Sequence, residues 1–214
     1  LDLEYDVKDF LYFKIDRKKK IFVSTLLMAL GYSKPEIADE FYDKDIYSFD
    51  AKKNKWKTKF NPENYKAKNF SEEVIDAKTG NVVVKLGDKI NFLSAKKLAS
   101  DGLKDILVSQ ESLYGKYLHR EVKVSDEEEG VFGIGTELND TIIKEILAAN
   151  ILSIEISITN TINKGSYLLS TILNDKNNDK NEAITEIYKV LRPGEPPTNE
   201  IATQIFNNLF FSSD

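Results

Sequence analysis

Cysteine is absent from the chain, which removes disulfides and thiolate chemistry. That absence fits a reducing compartment. Histidine is down to a single residue, His119, so there is no material for a His-based metal cluster or a Ser-His-Asp triad. With Arg120 and Glu121 as neighbours, His119 reads as a surface residue. No apolar run approaches the length of a membrane span and no signal peptide opens the chain, so the expectation is a cytoplasmic location and no membrane partner. The net charge of -5 excludes a uniformly basic coat but leaves room for a local basic contact. The 214 residues, 41% hydrophobic and 30% charged, suffice for a globular core. The chain begins at Leu1 inside an alternating apolar pattern and closes just after Phe210-Phe211, which reads as a piece of a longer protein.

Proline is scarce as well, yet three of the five prolines fall within Leu191-Arg192-Pro193-Gly194-Glu195-Pro196-Pro197-Thr198. Proline fixes φ, removes a backbone donor and restricts the residue before it, so this loop is stiff. Arg192 at its head is a permanent cation. A stiff loop with one guanidinium suits an anion held at a fixed place, although composition alone favours a plain connector between helices. The densest cationic run is Asp16-Arg17-Lys18-Lys19-Lys20. Lysine and arginine displace counterions from nucleic acid phosphates, but spacing alone favours a solvated loop, since no aromatic platform is interleaved.

The alternation of Leu1, Leu3 and Tyr5, followed by residues 10–15, predicts a hairpin. Residues 24–30 form a helix stopped by Gly31, and Ser33-Lys34-Pro35-Glu36 opens a second through a capping box, with Ile37, Ala38 and Phe41 on its core face. The acids Glu36, Asp39, Glu40 and Asp43 rule this pair out as a DNA-reading helix-turn-helix. Residues 43–68 alternate lysines with Tyr47, Phe49, Trp56 and Phe60. This pattern could bind single-stranded nucleic acid, but a hairpin with one buried aromatic face fits it better. Residues 174–181 lack apolar side chains and read as a mobile loop. Ala183, Ile184, Ile187, Tyr188 and Leu191 recur at helical spacing, and Thr198 caps a last helix with an apolar stripe of Ile201, Ile205, Phe206 and Leu209.

An internal repeat runs through the middle. Gly87-Asp88-Lys89-Ile90 matches Gly135-Thr136-Glu137-Leu138 at an offset of 48 residues, and the same offset pairs Leu98 with Ile146, Gly102 with Asn150, Ile106 with Ile154 and Val108 with Ile156. Each copy reads as strand, short helix, Gly or Asn helix stop, strand. Asparagine is the usual substitute for glycine in a left-handed C-cap. Two copies suggest a pseudo-symmetric small barrel or sandwich. The unit resembles a barrel-sandwich hybrid of the carrier type, but Lys78 and Lys85 lack the flanking acid and methionine of a biotin or lipoate site. The acids Asp126-Glu127-Glu128-Glu129 read as a solvated turn.

The order of motifs carries a resemblance to a family. Leu1-Asp2-Leu3-Glu4-Tyr5-Asp6, then Ile15-Asp16-Arg17-Lys18-Lys19-Lys20, then Glu186-Ile187-Tyr188-Lys189-Val190-Leu191-Arg192-Pro193-Gly194-Glu195-Pro196-Pro197-Thr198, then Asn208-Leu209-Phe210-Phe211-Ser212, looks like the β subunit of bacterial DNA-directed RNA polymerase. The resemblance covers the whole chain, strongly at both ends and loosely between residues 43 and 164. It implies an α+β fold: a discontinuous, mainly helical lobe domain (residues 1–43 and 165–214), and a mainly-β, barrel- or sandwich-like domain at residues 44–164, matching the lineage-specific insertion of proteobacterial β subunits. It further implies part of the downstream DNA channel wall. Asp16, Arg17, Lys18 and Arg192 would be the DNA-binding residues, with Asp16 near a pocket that reads a non-template base. Pro193, Gly194, Glu195, Pro196, Pro197 and Thr198 would form the gate loop. No catalytic or metal-ligating residue and no cofactor is expected in this piece, since the family's magnesium belongs to β′. The implied partners are β′, α, ω, a sigma factor, downstream and non-template DNA, and regulators at the insertion. The run after Asp16 is rich in lysine where the family carries arginine, and lysine lacks arginine's bidentate fork, so phosphate contact is retained rather than base reading. A pure interaction module for transcription factors is the alternative.

Overall fold

The computed structural model describes residues 2–16, 19–65, 68–69, 73–127, 130–160 and 164–211, without the side chains of residues 16, 68 and 69. The chain divides into two compact units. One comprises Leu1–Asp43, Gly133–Thr136 and Ile158–Asp214; the other comprises Lys44–Phe132 and Glu137–Ser157.

The first unit opens with an antiparallel meander of β1 (Asp2–Tyr5), β2 (Leu11–Asp16) and β3 (Lys19–Phe22). The Asp6 carboxylate accepts the N–H groups of Lys8 and Phe10, which closes the first turn. Helix α1 (Val23–Ala29) follows and stops at Gly31, whose φ of +111° is available to glycine at no steric cost. Helix α2 (Lys34–Phe41) starts as its sequence dictates. Ser33 Oγ accepts from the Glu36 N–H at 3.3 Å, and Glu36 Oε2 accepts from the Ser33 N–H at 2.7 Å. Hydrogen bonds from the Ser33 N–H and then from its side chain hold the Glu36 carboxyl below its ordinary value. Ile37 and Ala38 are buried as expected, but Phe41 is 47% exposed: the core-facing stripe of this short helix ends one turn earlier.

The second unit is built on a hairpin of β4 (Lys44–Asp50) and β5 (Lys55–Lys59), with Tyr47 and Trp56 buried on one face. After β5 come β6 (Lys68–Asn69), β7 (Val74–Asp76), β8 (Val82–Val84), β9 (Lys89–Ile90), α3 (Phe92–Ser100) and β10 (Asp105–Val108). Then come β11 (Tyr117–Leu118), β12 (Val122–Lys123), β13 (Val131–Phe132), α4 (Asp140–Ala148) and β14 (Ser153–Ser157). Seven strands form one antiparallel sheet in the order β11-β14-β4-β5-β10-β7-β8.

The repeat is physical. Asn91 accepts from the Ser94 N–H and Asn139 from the Ile142 N–H, capping α3 and α4 at equivalent positions. Both helices end in the same pair of bonds. Leu103 N–H donates to Leu98 O and Ile151 N–H to Ile146 O, with Gly102 at φ +106° and Asn150 at φ +59° in the left-handed position. The strands that follow flank the central hairpin symmetrically: β10 pairs with β5 and β14 with β4.

The expected barrel or sandwich is not what forms. The sheet stays open, with β11 and β8 as edges. The register places Tyr47, Trp56, Ile106 and Ile154 on one face, and they join cores that include Ile143 and Ile146 of α4 and Ala95 of α3. The duplicated helices thus cover one face, which makes closing the sheet on itself unnecessary for burial. His119 departs from expectation too. It is fully buried: its N–H extends the β11–β14 ladder to Glu155 O, and its Nδ1 lies 2.8 Å from Ser157 Oγ.

The chain returns to the first unit through α5 (Tyr167–Asn174), α6 (Lys180–Leu191) and α7 (Asn199–Phe210). Helix α1 packs against α5 and α6, and α6 against α7. In α7 the core side falls on Ala202 and Phe206, while Ile201 and Leu209 are about half exposed, so the buried stripe is rotated from the one its strongest hydrophobes suggest. Residues 174–181, read as mobile, are anchored. Asp175 is buried, and its carboxylate accepts from Ser24 Oγ, from Thr25 Oγ1 at 2.8 Å and from Asn177 through both N–H and Nδ2. The segment lacks apolar atoms because it is held by polar ones.

Candidate nucleic-acid interface

The proline loop begins where α6 runs out. The Arg192 N–H closes the last helical turn onto Tyr188 O at 2.8 Å. Pro193 then disfavours helix for the residue before it, and Arg192 sits at φ -126°, ψ 71°. Arg192-Pro193-Gly194-Glu195 forms a turn closed by Glu195 N–H to Arg192 O, with Gly194 at φ +88°. Proline then glycine at the two central positions is the pattern of a type II turn. Pro196 and Pro197 carry the chain to Thr198, whose Oγ1 accepts from the Ile201 N–H and starts α7.

Side chains fix this turn further. Tyr188 Oη donates to Glu195 Oε2 at 3.1 Å, and Arg192 Nη1 lies 3.6 Å from the same oxygen. Burial, then the hydrogen bond and charge of Glu195, hold the Tyr188 phenol above its ordinary value, with Arg192 acting in the opposite sense. Arg192 and Glu195 are each more than half exposed, so their pairing is screened and leaves guanidinium donors facing water.

Lys19, at the start of β3, approaches this turn. Lys19 Nζ donates to Leu191 O at 3.2 Å, linking that strand to the residue before Arg192. A helix-terminal carbonyl without an intrahelical partner is a natural acceptor for that ammonium. Lys20 is held by another group, its Nζ lying 4.3 Å from the ring centre of Tyr12, which stacks on Phe22. Lys19 and Lys20 therefore serve the protein's own structure. Arg17 and Lys18 lie outside the described residues, as does the side chain of Asp16, whose backbone pairs with Lys19 after a bulge. Sequence reasoning missed Tyr188 and the Lys19–Leu191 contact. The spacing of Tyr188, Arg192 and Glu195 along one helix end was the available signal for the first; the second is long-range and had none.

No protein-family model matches the chain. Among curated proteins, the β subunits of DNA-directed RNA polymerase from Rickettsia massiliae, Rickettsia akari (strain Hartford) and Rickettsia prowazekii (strain Madrid E) are each 39% identical to it over 214 residues. Each alignment covers 100% of this chain and 15% of the relative. The chain belongs to the DNA-directed RNA polymerase β-subunit family. It spans about 15% of the length of the curated β subunits it matches. The alignment runs through both units, so the middle of the sequence belongs to it as well. Among the described residues, no helix is long and apolar enough to cross a membrane.

Proposed function

We propose that this stretch of a β subunit serves transcription by forming part of the wall along which downstream DNA passes, with residues 192–198 as its gate loop. In this reading Arg192 contacts the phosphate backbone of the non-template strand, and Asp16, Arg17 and Lys18 contribute to the same DNA path. The chemistry of RNA synthesis, with its magnesium, belongs to β′. This chain positions nucleic acid for the assembled enzyme alongside α, ω and sigma. The observation that carries the proposal is the bond from Lys19 to Leu191 O, which ties the start of β3 to the root of the arginine loop although 172 residues separate them. A phosphate contact of this kind contributes about 0.5–1.5 kcal/mol net. In assembled polymerase, Arg192→Ala is therefore expected to shorten the lifetime of open promoter complexes about two- to tenfold, measured by competitor challenge. Unchanged lifetimes would remove Arg192 from the DNA path.

A further inference from the structure

The lysine-rich hairpin of the second unit has two faces with different fates. Trp56 and Thr58 point to the helix-covered side and are buried, while Lys55, Lys57 and Lys59 alternate with them on the other side. Lys57 and Lys59 are exposed and Lys55 is half-buried. The register extends this second face across the sheet: Ser48, Ser153 and the buried Leu107 lie in one row with Lys57, and Ile46, 54% exposed, pairs with Glu155. Acids stand on this face too, Asp50 directly opposite Lys55. Glu155 lies 2.8 Å from Lys44 Nζ and 3.9 Å from Arg120 Nε, and Asp50 accepts the N–H groups of Lys52 and Lys53. Asp105 stands opposite Lys59. Among the described residues, Lys55, Lys57 and Lys59 form no ion pair.

We infer that this open sheet face, centred on Lys55, Lys57 and Lys59, binds the phosphodiester backbone of duplex DNA. Alternate residues of a strand lie about 6.6 Å apart, so the three ammonium groups span about 13 Å. Phosphates follow about every 3.4 Å of axis on each DNA strand while winding round it, so a row of lysines of this length faces phosphates where it crosses the backbone rather than along the axis. The serine hydroxyls beside Lys57 supply neutral donors to phosphate oxygens. The mode is backbone contact and not base stacking, because Trp56 and Tyr47, the hairpin's aromatic platforms, are turned into the core. The inference does not depend on the role of Arg192.

The test is fluorescence anisotropy of a labelled duplex titrated with the 214-residue chain over a salt series. Binding is expected to be non-specific, with a Kd of about 1–100 μM at physiological salt. The variant Lys55→Gln/Lys57→Gln/Lys59→Gln is expected to weaken low-salt binding about tenfold or more and to reduce the slope of log K against log salt by about two to three. Lys55→Arg/Lys57→Arg/Lys59→Arg should retain binding. Lys78→Gln/Lys85→Gln/Lys97→Gln removes the same charge from exposed positions elsewhere and should change affinity by less than about twofold. Thermal melts of each variant check that the fold is intact. Equal losses in both glutamine triples would reduce the effect to net charge and overturn the inference. So would lysine-dependent binding of single strands, RNA or an acidic protein with none of duplex DNA. Arg192→Ala in the same assay separates the two proposals: loss with that variant alone overturns this one and leaves the gate-loop reading standing.

Discussion

Asp175 decides the order of the segment before α6. Its carboxylate gathers Ser24, Thr25 and Asn177, and Lys34 Nζ donates to its carbonyl at 2.6 Å. Removing the acceptor strands buried hydroxyls, so Asp175→Ala is expected to cost about 3 kcal/mol or more, read as a lowered urea midpoint at unchanged m-value. Gly135 is equally constrained. At φ +89°, a Cβ there would meet Leu169 O at 2.2 Å, so Gly135→Ala should destabilise the first unit by about 2 kcal/mol or more. Tyr42 contributes a pH dependence. Desolvation by burial pushes its phenol up from 10.0 to about 12, against the lowering effect of backbone hydrogen bonds from Leu169 and Leu168. A raised folded pKa means the contribution is full below pH 10 and is lost as pH climbs toward 12, when the unfolded phenol ionises first. Chemical denaturation across that window should show the loss in the wild type and a flatter profile in Tyr42→Phe. These residues also mark where reading the sequence stopped. His119 beside two charged neighbours and Asp175 in an apolar-free run both look solvated locally; their burial comes from partners 38 and 150 residues away.

Elements were legible where their signals are local. The capping box of α2, the paired asparagine caps, the left-handed stops at Gly102 and Asn150, and the Lys/aromatic alternation of β4 and β5 all follow from contacts within a few residues. What was not legible depends on which layer covers which. The duplication was visible at its 48-residue offset, but a doubled strand-helix-strand unit is compatible with a closed or an open sheet, and only the packing of α3 and α4 on one face selects the open form. Helix α7 shows the same limit, since its strongest hydrophobes are not the ones its neighbour α6 buries. For the candidate site, the proline turn and its Arg192 were apparent, whereas the partner that anchors it, Lys19, was read as a phosphate ligand. The stops give an element-scale prediction. Asn150→Gly should stay within about 0.5 kcal/mol of the wild type, while Asn150→Ala should lose about 1–2 kcal/mol, measured by denaturant titration, because only the latter places an unaided Cβ at positive φ.

At the scale of the molecule, the single tryptophan is diagnostic. Trp56 is fully buried in the second unit, so its emission reports that unit alone. Asp175→Ala, which strikes the first unit, is expected to shift the far-ultraviolet transition while leaving the tryptophan transition in place. Coincident shifts would mean that the two units unfold as one. The way the polypeptide passes into and out of the second unit has a further consequence. Lys44 begins β4 and Ser157 ends β14, and the two residues are direct partners across neighbouring strands. Just outside, Ile158 N–H bonds to Asp43 O at 2.8 Å. The path therefore departs almost where it arrived, one strand spacing away, so loss of this block of coding sequence would leave the flanking backbone in position to be rejoined and would take from the first unit only Gly133–Thr136.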